Sequence, residues 1–179
     1  LQNISHVAAT GINWMGMIFW NRSSRFVGDM AAAAAIPEGI TRVGVFVDQA
    51  MSFADSHAIP FDAVAVSCGP GSYTGLRIGV SMAKGICVGR DLKLLSVPTL
   101  ELMCVPILLH HEAIEDNALL CPMIDARRMG VYAAVYDRSL REVRETGADV
   151  VTADTYREFL DRGPVYFFGN GAAKCMDVI

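Results

Sequence analysis

Two adjacent histidines, His110 and His111, followed by Glu112, are the residues of this chain whose types best suit a metal ion. A zinc-binding helix uses the spacing His-x-x-x-His, because that spacing puts both rings on one face. Adjacent histidines on a helix point in different directions instead. We therefore predict no metal and no cofactor here, and we interpret residues 110–117 as a solvated polar connector.

Asp125, Arg127 and Arg128 form a second group, placed where a strand should end. They could make an acid or an anion site. A local ion pair at a surface turn is the interpretation we favour, because exposed ion pairs are common and contribute little free energy. Ser72 and Thr74 could be nucleophiles, but no histidine lies near either in the sequence, so helix capping is the better explanation.

The most specific segment runs from Ser67 to Gly85 with the sequence SCGPGSYTGLRIGVSMAKG. A short, β-branched apolar strand over residues 61–67 leads into it, a glycine turn ends that strand, and a helix follows to about Gly89. Backbone N–H groups at the start of a helix attract phosphate. The Walker pattern that closes a P-loop, Gly-Lys-Ser or Gly-Lys-Thr, is absent, so we do not predict a nucleotide-binding P-loop.

Small residues recur along one face of that helix, at Gly75, Gly79 and Ala83. Such a face lets another backbone approach closely, whereas Leu76 and Val80 can pack on the sheet. Each glycine lowers helix propensity by roughly 1 kcal/mol relative to alanine. That cost favours close packing, and two interpretations remain open: a protein interface, or a tight strand-to-helix turn with glycines kept for packing.

Helices and strands alternate through the rest of the chain, which predicts an α/β fold. Apolar residues at helical spacing, Phe53 among them, predict an amphipathic helix over 42–57 that packs beside the helix after the glycine turn. Further predicted elements are helices over 99–109 and 154–162, capped by Thr99 and Thr152, and strands at Ile4–Ala9, Trp14–Trp20, Arg25–Gly28, 92–97, 119–125, 131–136, 143–151 and 165–168. The connector separates an amino-terminal domain, 1–109, from a carboxy-terminal domain, 110–179.

The composition suits one compact domain or two small ones, with 179 residues of which 53% are hydrophobic. A net charge of −4 argues against strong direct RNA binding, because phosphate contacts need clustered lysine and arginine. The five cysteines are scattered and form no Cys-x-x-Cys pair, so free, mostly buried thiols are predicted. Residues 12–20 are too short to span a bilayer and lack a signal-peptide pattern, so we predict a cytoplasmic protein.

The run from Ser67 to Gly89 resembles the TsaB (YeaZ) family, together with Val97-Pro98-Thr99-Leu100 and Ile124-Asp125-Ala126-Arg127 downstream. The resemblance is specific from about residue 43 to about residue 136. Two positions depart from the family pattern. Val7-Ala8-Ala9-Thr10 stands where members usually have a strand ending in Asp-Thr or Glu-Thr, and Gly130 stands where they commonly have Glu.

The resemblance implies an actin-like (ASKHA, ribonuclease H-like) α/β fold, with mixed sheets flanked by helices and an incomplete second domain. It also implies a non-catalytic scaffold that forms homodimers and binds TsaD, the paralogue that holds the active site. That assembly makes N6-threonylcarbamoyladenosine at position 37 of ANN-decoding bacterial tRNAs. A TsaE-like ATPase would join it, and this chain would reach tRNA only indirectly.

The same resemblance, with the small-residue face, predicts an association surface on the paired helices. The predicted residues are Val45, Gln49, Ser52, Gly71, Ser72, Tyr73, Thr74, Gly75, Arg77, Ile78, Gly79, Met82 and Ala83. The alternative function is an enzyme of the actin-like class, either a sugar-type kinase or a glycoprotease-like peptidase. A kinase would need a phosphate-loop carboxylate and a metallopeptidase would need paired ligands, and the sequence shows neither.

Overall fold

The computed structural model of the chain describes residues 17–20, 39–58, 60–110 and 114–179. Internal contacts divide it between Thr99 and Leu100 into two compact units, which we call the amino-terminal and the carboxy-terminal unit. The boundary expected from the sequence falls later, between residues 109 and 110. The difference arises because Leu100 and Cys104, on the intervening helix, are buried in a core cluster of the carboxy-terminal unit.

The described part of the amino-terminal unit is a small mixed sheet with helices. Its elements are strand β1 (Met17–Trp20), helix α1 (Gly39–Ser56), strand β2 (Ala63–Ser67), helix α2 (Tyr73–Arg90) and strand β3 (Lys93–Val97). The strand order is β1-β2-β3, with β1 antiparallel and β3 parallel to β2. Every residue of β2 is buried, as a short apolar strand between two neighbours should be.

The carboxy-terminal unit holds a larger mixed sheet. Its elements are helix α3 (Thr99–His110), strands β4 (Leu119–Asp125), β5 (Gly130–Tyr136) and β6 (Glu142–Val150), helix α4 (Arg157–Leu160), strand β7 (Val165–Phe168) and a 3-10 helix (Ala173–Cys175). Thr99, the first residue of α3, belongs to the amino-terminal unit. The strand order is β6-β5-β4-β7. Strand β7 is parallel to β4, and the other pairs are antiparallel. Within the described ranges, no helix has the length and apolarity needed to cross a membrane.

Side chains of the larger sheet alternate between two buried clusters, one on each face. Met123 packs on one face with Tyr156 and Phe159. Leu120 packs on the other face with Leu100 of α3. Helical segments therefore cover both sides of this sheet, and the predicted α/β architecture is confirmed.

Most predicted elements are observed with small shifts at their ends. The strands predicted over 119–125 and 165–168 match β4 and β7, and β1 lies within the strand predicted at Trp14–Trp20. The helix predicted over 154–162 is reduced to α4. Before it, the hydroxyls of Thr152 and Thr155 bond each other at 2.9 Å in a turn, so Thr152 does not cap a helix. The strands predicted at Ile4–Ala9 and Arg25–Gly28 lie outside the described residues.

Candidate association surface

The glycine turn after β2 depends on Gly69 for its shape. The backbone of Gly69 has a φ of +111°, a conformation that L side chains rarely adopt. A Cβ at this position would also lie 3.3 Å from Leu76 Cδ1, which is tighter than most real contacts. The turn therefore requires glycine here, and it leads the chain directly into α2.

Thr99, the first residue of α3, ties this turn to the end of β3. Its Oγ1 lies 2.5 Å from Ser67 Oγ and accepts a hydrogen bond of 3.1 Å from the Gly69 N–H. Its own N–H donates to the Gly69 carbonyl at 2.8 Å. Ser67 and Thr99 are both buried, so these bonds are shielded from water. The predicted role of Thr99 as a helix cap is wrong, because its hydroxyl is used by the glycine turn.

Ser72 caps α2, as predicted. Its Oγ accepts a hydrogen bond of 3.4 Å from the Gly75 N–H, and its carbonyl accepts one of 2.8 Å from the Leu76 N–H. Thr74 lies inside the first turn of the helix and is exposed. Capping accounts for the presence of Ser72 without assigning it any chemistry.

The small-residue face of α2 points into the molecule, so the expected surface groove is wrong for Gly79 and Ala83. Both residues are buried, and Ala83 packs in a core cluster with Val47 and Met51 of α1. Gly75, in the same row, is half-buried. Small side chains let α2 approach its own neighbours closely, which supports the packing interpretation for Gly79 and Ala83.

The opposite face of α2 is exposed. It carries Tyr73, Thr74, Arg77, Ser81, Lys84, Gly85 and Val88. A Cβ added at Gly85 or Gly89 would meet nothing within 4 Å, so the outward row of small residues is Ser81, Gly85 and Gly89. Of the residues predicted for the surface, Gly71, Ser72, Tyr73, Thr74 and Arg77 are exposed, whereas Ile78 and Met82 are half-buried against the core cluster.

Tyr73 and Arg77 pair on this exposed face. Arg77 Nη1 donates to the Tyr73 hydroxyl at 3.4 Å, and the guanidinium carbon lies 5.3 Å from the ring centroid. Tyr73 remains 73% exposed despite that contact. Tyrosine and arginine are enriched at the centres of protein interfaces. An exposed pair of these types at the start of a fixed helix therefore suits protein recognition.

Helix α1 presents an exposed face of its own. Val45, Gln49 and Ser52 are exposed there, as predicted. Phe53 is one of the apolar residues whose spacing predicts the buried face of this helix, and that prediction is wrong for Phe53. Phe53 is 52% exposed, and its ring stacks on His57 with a centroid distance of 4.0 Å. The exposed face of α1 thus includes an aromatic side chain.

An ion pair joins the last turns of α1 and α2. Arg90 donates two hydrogen bonds of 2.6 Å, one to each carboxylate oxygen of Asp55. Hydrogen bonding to Arg90 lowers the pKa of Asp55, and the same contact raises the pKa of Arg90. The pair agrees with the prediction that these helices pack side by side. We use the term association surface for the exposed residues of the turn and both helices: Val45, Gln49, Ser52, Phe53, Gly71, Ser72, Tyr73, Thr74 and Arg77.

The other candidate sites have simpler explanations. Asp125 forms an ion pair, as predicted, but its partner is Lys174 at 2.5 Å and not either neighbouring arginine. The hydrogen bond from Lys174, with a second one from the Arg127 N–H, lowers the pKa of Asp125. The side chains of residues 110–112 lie outside the described part. Among the described residues, no three histidine, cysteine, aspartate or glutamate side chains are placed to share a metal ion.

All five cysteines are free thiols, which confirms the prediction from their spacing. Cys68 is exposed and the other four are buried. Burial raises the pKa of Cys104 to about 12. A thiol with so high a pKa stays protonated at neutral pH and is a poor nucleophile, so Cys104 serves packing.

Comparison with solved structures indicates the class of fold. The chain resembles a crystal structure described as an uncharacterized protein with similarity to peptidase YEAZ from Pseudomonas aeruginosa. The TM-score is 0.50 and the sequence identity is 18%, over 73% of this chain and 74% of that chain. A likeness at this identity concerns the fold, and it agrees with the predicted actin-like arrangement of mixed sheets flanked by helices.

The chain thus has an actin-like α/β fold, and sequence comparison defines its family. A family model described as TsaD: tRNA N6-adenosine threonylcarbamoyltransferase matches residues 35–161, more than half of the chain, and the chain belongs to this family. A Bacillus subtilis (strain 168) protein named tRNA threonylcarbamoyladenosine biosynthesis protein TsaB is 33% identical over 110 residues, covering 60% of this chain and 45% of that protein.

An Escherichia coli (strain K12) protein of the same name is 33% identical over 101 residues, covering 56% of this chain and 42% of that protein. These matches confirm the resemblance to TsaB (YeaZ) that the sequence motifs indicated. The chain spans less than half the length of each of these two relatives.

Proposed function

We propose that the chain is a non-catalytic partner of TsaD in the biosynthesis of N6-threonylcarbamoyladenosine on bacterial tRNA. Family membership and the names of the curated relatives support the pathway. The observation that carries the role in association is the exposed Tyr73–Arg77 pair at the start of α2. These two residue types anchor many protein interfaces, and here they face solvent.

The backbone before Tyr73 is held firmly, which favours binding. The Gly69 turn is tied by Thr99, and Ser72 caps the first turn of α2. A side chain displayed on such a fixed helix start loses little conformational entropy when a partner covers it. The association surface therefore binds at lower entropic cost than a loose loop of the same composition.

A TsaD-like paralogue is the partner that we propose for this surface, and a second copy of the chain would form the homodimer. A TsaE-like ATPase would join the same assembly in the cytoplasm. Contact with tRNA would run through the partner, because a net charge of −4 disfavours direct phosphate binding. The nucleotide modified by this assembly would be at position 37 of ANN-decoding tRNAs, as the resemblance to the TsaB family implies.

The lack of a free carboxylate at two positions of the chain supports a role without catalysis. A kinase of this fold class would need carboxylates free to hold a metal-bound phosphate. Asp125, at the end of β4, is already bound by Lys174. The segment Val7–Thr10, which stands at the family's first phosphate loop, contains no carboxylate.

The test is association of the purified chain with TsaD from the same cell, measured by pull-down and light scattering. A double variant, Tyr73→Ala with Arg77→Ala, should weaken binding by roughly 2–4 kcal/mol, a factor of about 30 or more. Tyr132→Ala is the matched control, because Tyr132 is also an exposed tyrosine but lies on β5. All three residues are exposed, so thermal melting should change little.

Undiminished TsaD binding by the double variant would place the contact outside the association surface. Calorimetry with Mg-ATP tests the other half of the proposal. Micromolar ATP binding by the unmodified chain would reject the non-catalytic role and favour the actin-like kinase. Hydrolysis of peptides would favour the peptidase instead.

A further inference from the structure

Lys174 places its ammonium group within a set of three oxygen atoms. Its Nζ lies 2.5 Å from Asp125 Oδ1, 2.7 Å from the Arg128 carbonyl oxygen and 2.7 Å from the Gly130 carbonyl oxygen. A lysine ammonium group has three N–H donors, and each has one acceptor here. The side chain is only 23% exposed. The ammonium group is therefore coordinated almost entirely by the protein.

Two of the three oxygens also accept bonds that do not involve Lys174, and the Gly130 carbonyl is one of them, since it accepts a hydrogen bond of 2.9 Å from the Ala126 N–H. Asp125 Oδ1 accepts a hydrogen bond of 2.7 Å from the Arg127 N–H, and the Asp125 N–H donates to Asn170 Oδ1 at 3.0 Å. The Gly130 N–H donates to the Arg127 carbonyl at 2.9 Å, which closes the turn. The arrangement of acceptors thus belongs to the turn itself.

The backbone of this turn is unusual at the same point. Arg127 and Arg128 have φ values of +70° and +50°, which are uncommon for residues with long side chains. The carbonyl of Arg128, in this left-handed stretch, is one of the oxygens that contact Lys174. Strained backbone of this kind persists where the surrounding contacts require it. Here the contact between the Arg128 carbonyl and the Lys174 ammonium group requires this backbone conformation.

One ionised carboxylate and two carbonyl oxygens form the ligand set that hard cations prefer. The set lies at the carboxyl end of β4, beside the parallel strand β7, where open α/β sheets commonly bind ligands. A simple surface ion pair would need the carboxylate alone. We propose that this turn is a cation site that the chain fills with its own Lys174, so that protein without this ammonium group binds a divalent metal ion there.

The test is titration of the Lys174→Met chain with Mn²⁺, followed by electron paramagnetic resonance, and with Ca²⁺, followed by calorimetry. Methionine keeps an apolar stem and removes the charged group. Arg127→Met is the matched control, because it removes the same charge from an exposed neighbour and leaves Lys174 in place. We expect Lys174→Met to bind Mn²⁺ at least about tenfold more tightly than the unmodified chain and the control.

Adding Asp125→Asn to Lys174→Met should abolish that gain, because the carboxylate is the only charged ligand of the set. Equal, weak Mn²⁺ binding by Lys174→Met, the control and the unmodified chain would overturn the proposal. If Lys174→Met folds only when Mn²⁺ or Ca²⁺ is added, the proposal is supported. If it folds under neither condition, Lys174→Gln, whose amide can still donate to a carbonyl, replaces it and is judged by the same two results. This inference does not depend on the association with TsaD.

Discussion

In each unit, a buried strand leads into a turn, and a side chain that follows the neighbouring parallel strand forms hydrogen bonds with that turn. In the amino-terminal unit, the turn after β2 is held by Thr99, which follows β3. In the carboxy-terminal unit, the turn after β4 is held by Lys174, which follows β7. Such strand ends commonly bind ligands in α/β sheets. Here the chain's own side chains occupy both.

We call these two sets of hydrogen bonds the Thr99 tie and the Lys174 tie, and they differ in charge and in exposure to water. Thr99 is neutral and buried, so its hydrogen bonds are shielded from water. Leaving the Ser67 hydroxyl or the Gly69 N–H without this partner would therefore lower the stability of the fold. Lys174 is charged, and the Asp125 side chain that it pairs with is 46% exposed, so water and salt screen the attraction. The first turn should therefore depend on hydrogen-bond satisfaction, and the second on protonation and ionic strength.

Gly169→Ala should cause the largest loss of stability of the changes considered. Gly169 has a φ of +99°, and a Cβ there would overlap the Met123 carbonyl oxygen and lie 2.6 Å from Met103 Cε. Because backbone cannot move aside, we expect a loss of roughly 3 kcal/mol or more. Gly69→Ala should cost about 1–2 kcal/mol, since its Cβ would meet the flexible end of Leu76.

Urea denaturation of the two alanine variants measures this difference. Both glycines have positive φ, so alanine should be similarly strained at the two positions. The difference between the two losses therefore measures the contact of the added Cβ with its neighbours. Equal losses would show that φ alone decides the cost, and that the segment after β7 packs against β4 no more tightly than the turn after β2 packs against Leu76.

Thr99→Val should give the next largest effect. Valine keeps the branched shape but removes the hydroxyl, which leaves the Ser67 hydroxyl and the Gly69 N–H without that partner. We expect a loss of about 2–3 kcal/mol in urea denaturation. Thr99→Ser keeps the hydroxyl and deletes one methyl group, so it should cost about 1 kcal/mol. A Thr99→Val loss no larger than that of Thr99→Ser would contradict the tie.

Elements of the fold could be predicted where apolar runs are continuous. Strands β4 and β7 match the predicted ranges, because each is a short apolar run with clear ends. The start of α2 was predictable from Ser72, whose capping bond is local. The shortened α4 was not, since threonine hydroxyls bonded each other in a turn that the periodicity does not reveal.

Features of the site that depend on distant contacts could not be predicted in the same way. Gly79 and Ala83 carry too little apolar surface to show which face of α2 is buried, and the cluster that holds Ala83 includes residues of α1 and β2 that are distant in the sequence. The hydroxyl of Thr99 bonds groups far away in the sequence, so the motif around it indicated only a helix cap. Lys174 is likewise distant in sequence from Asp125.

Acid should abolish the Lys174 tie and leave the Thr99 tie unchanged. Pairing with Lys174 lowers the pKa of Asp125 in the folded state below its ordinary value of about 3.9. The folded state thus favours the ionised carboxylate. Its contribution to stability is fully present above about pH 4 and is lost as the pH falls through the folded pKa. Because the carboxylate is half-exposed, that contribution is at most about 1 kcal/mol.

The measurement is the difference in unfolding free energy between the unmodified chain and Asp125→Asn, at about pH 7 and about pH 3. Taking the difference cancels other groups with lowered pKa values, such as Asp55 and Asp149. This difference should shrink in acid. The corresponding difference for Thr99→Val should stay the same, because neither Thr99 nor Ser67 titrates. If it shrank as well, the neutral tie would depend on a charge elsewhere, and the contrast between the two turns would fail.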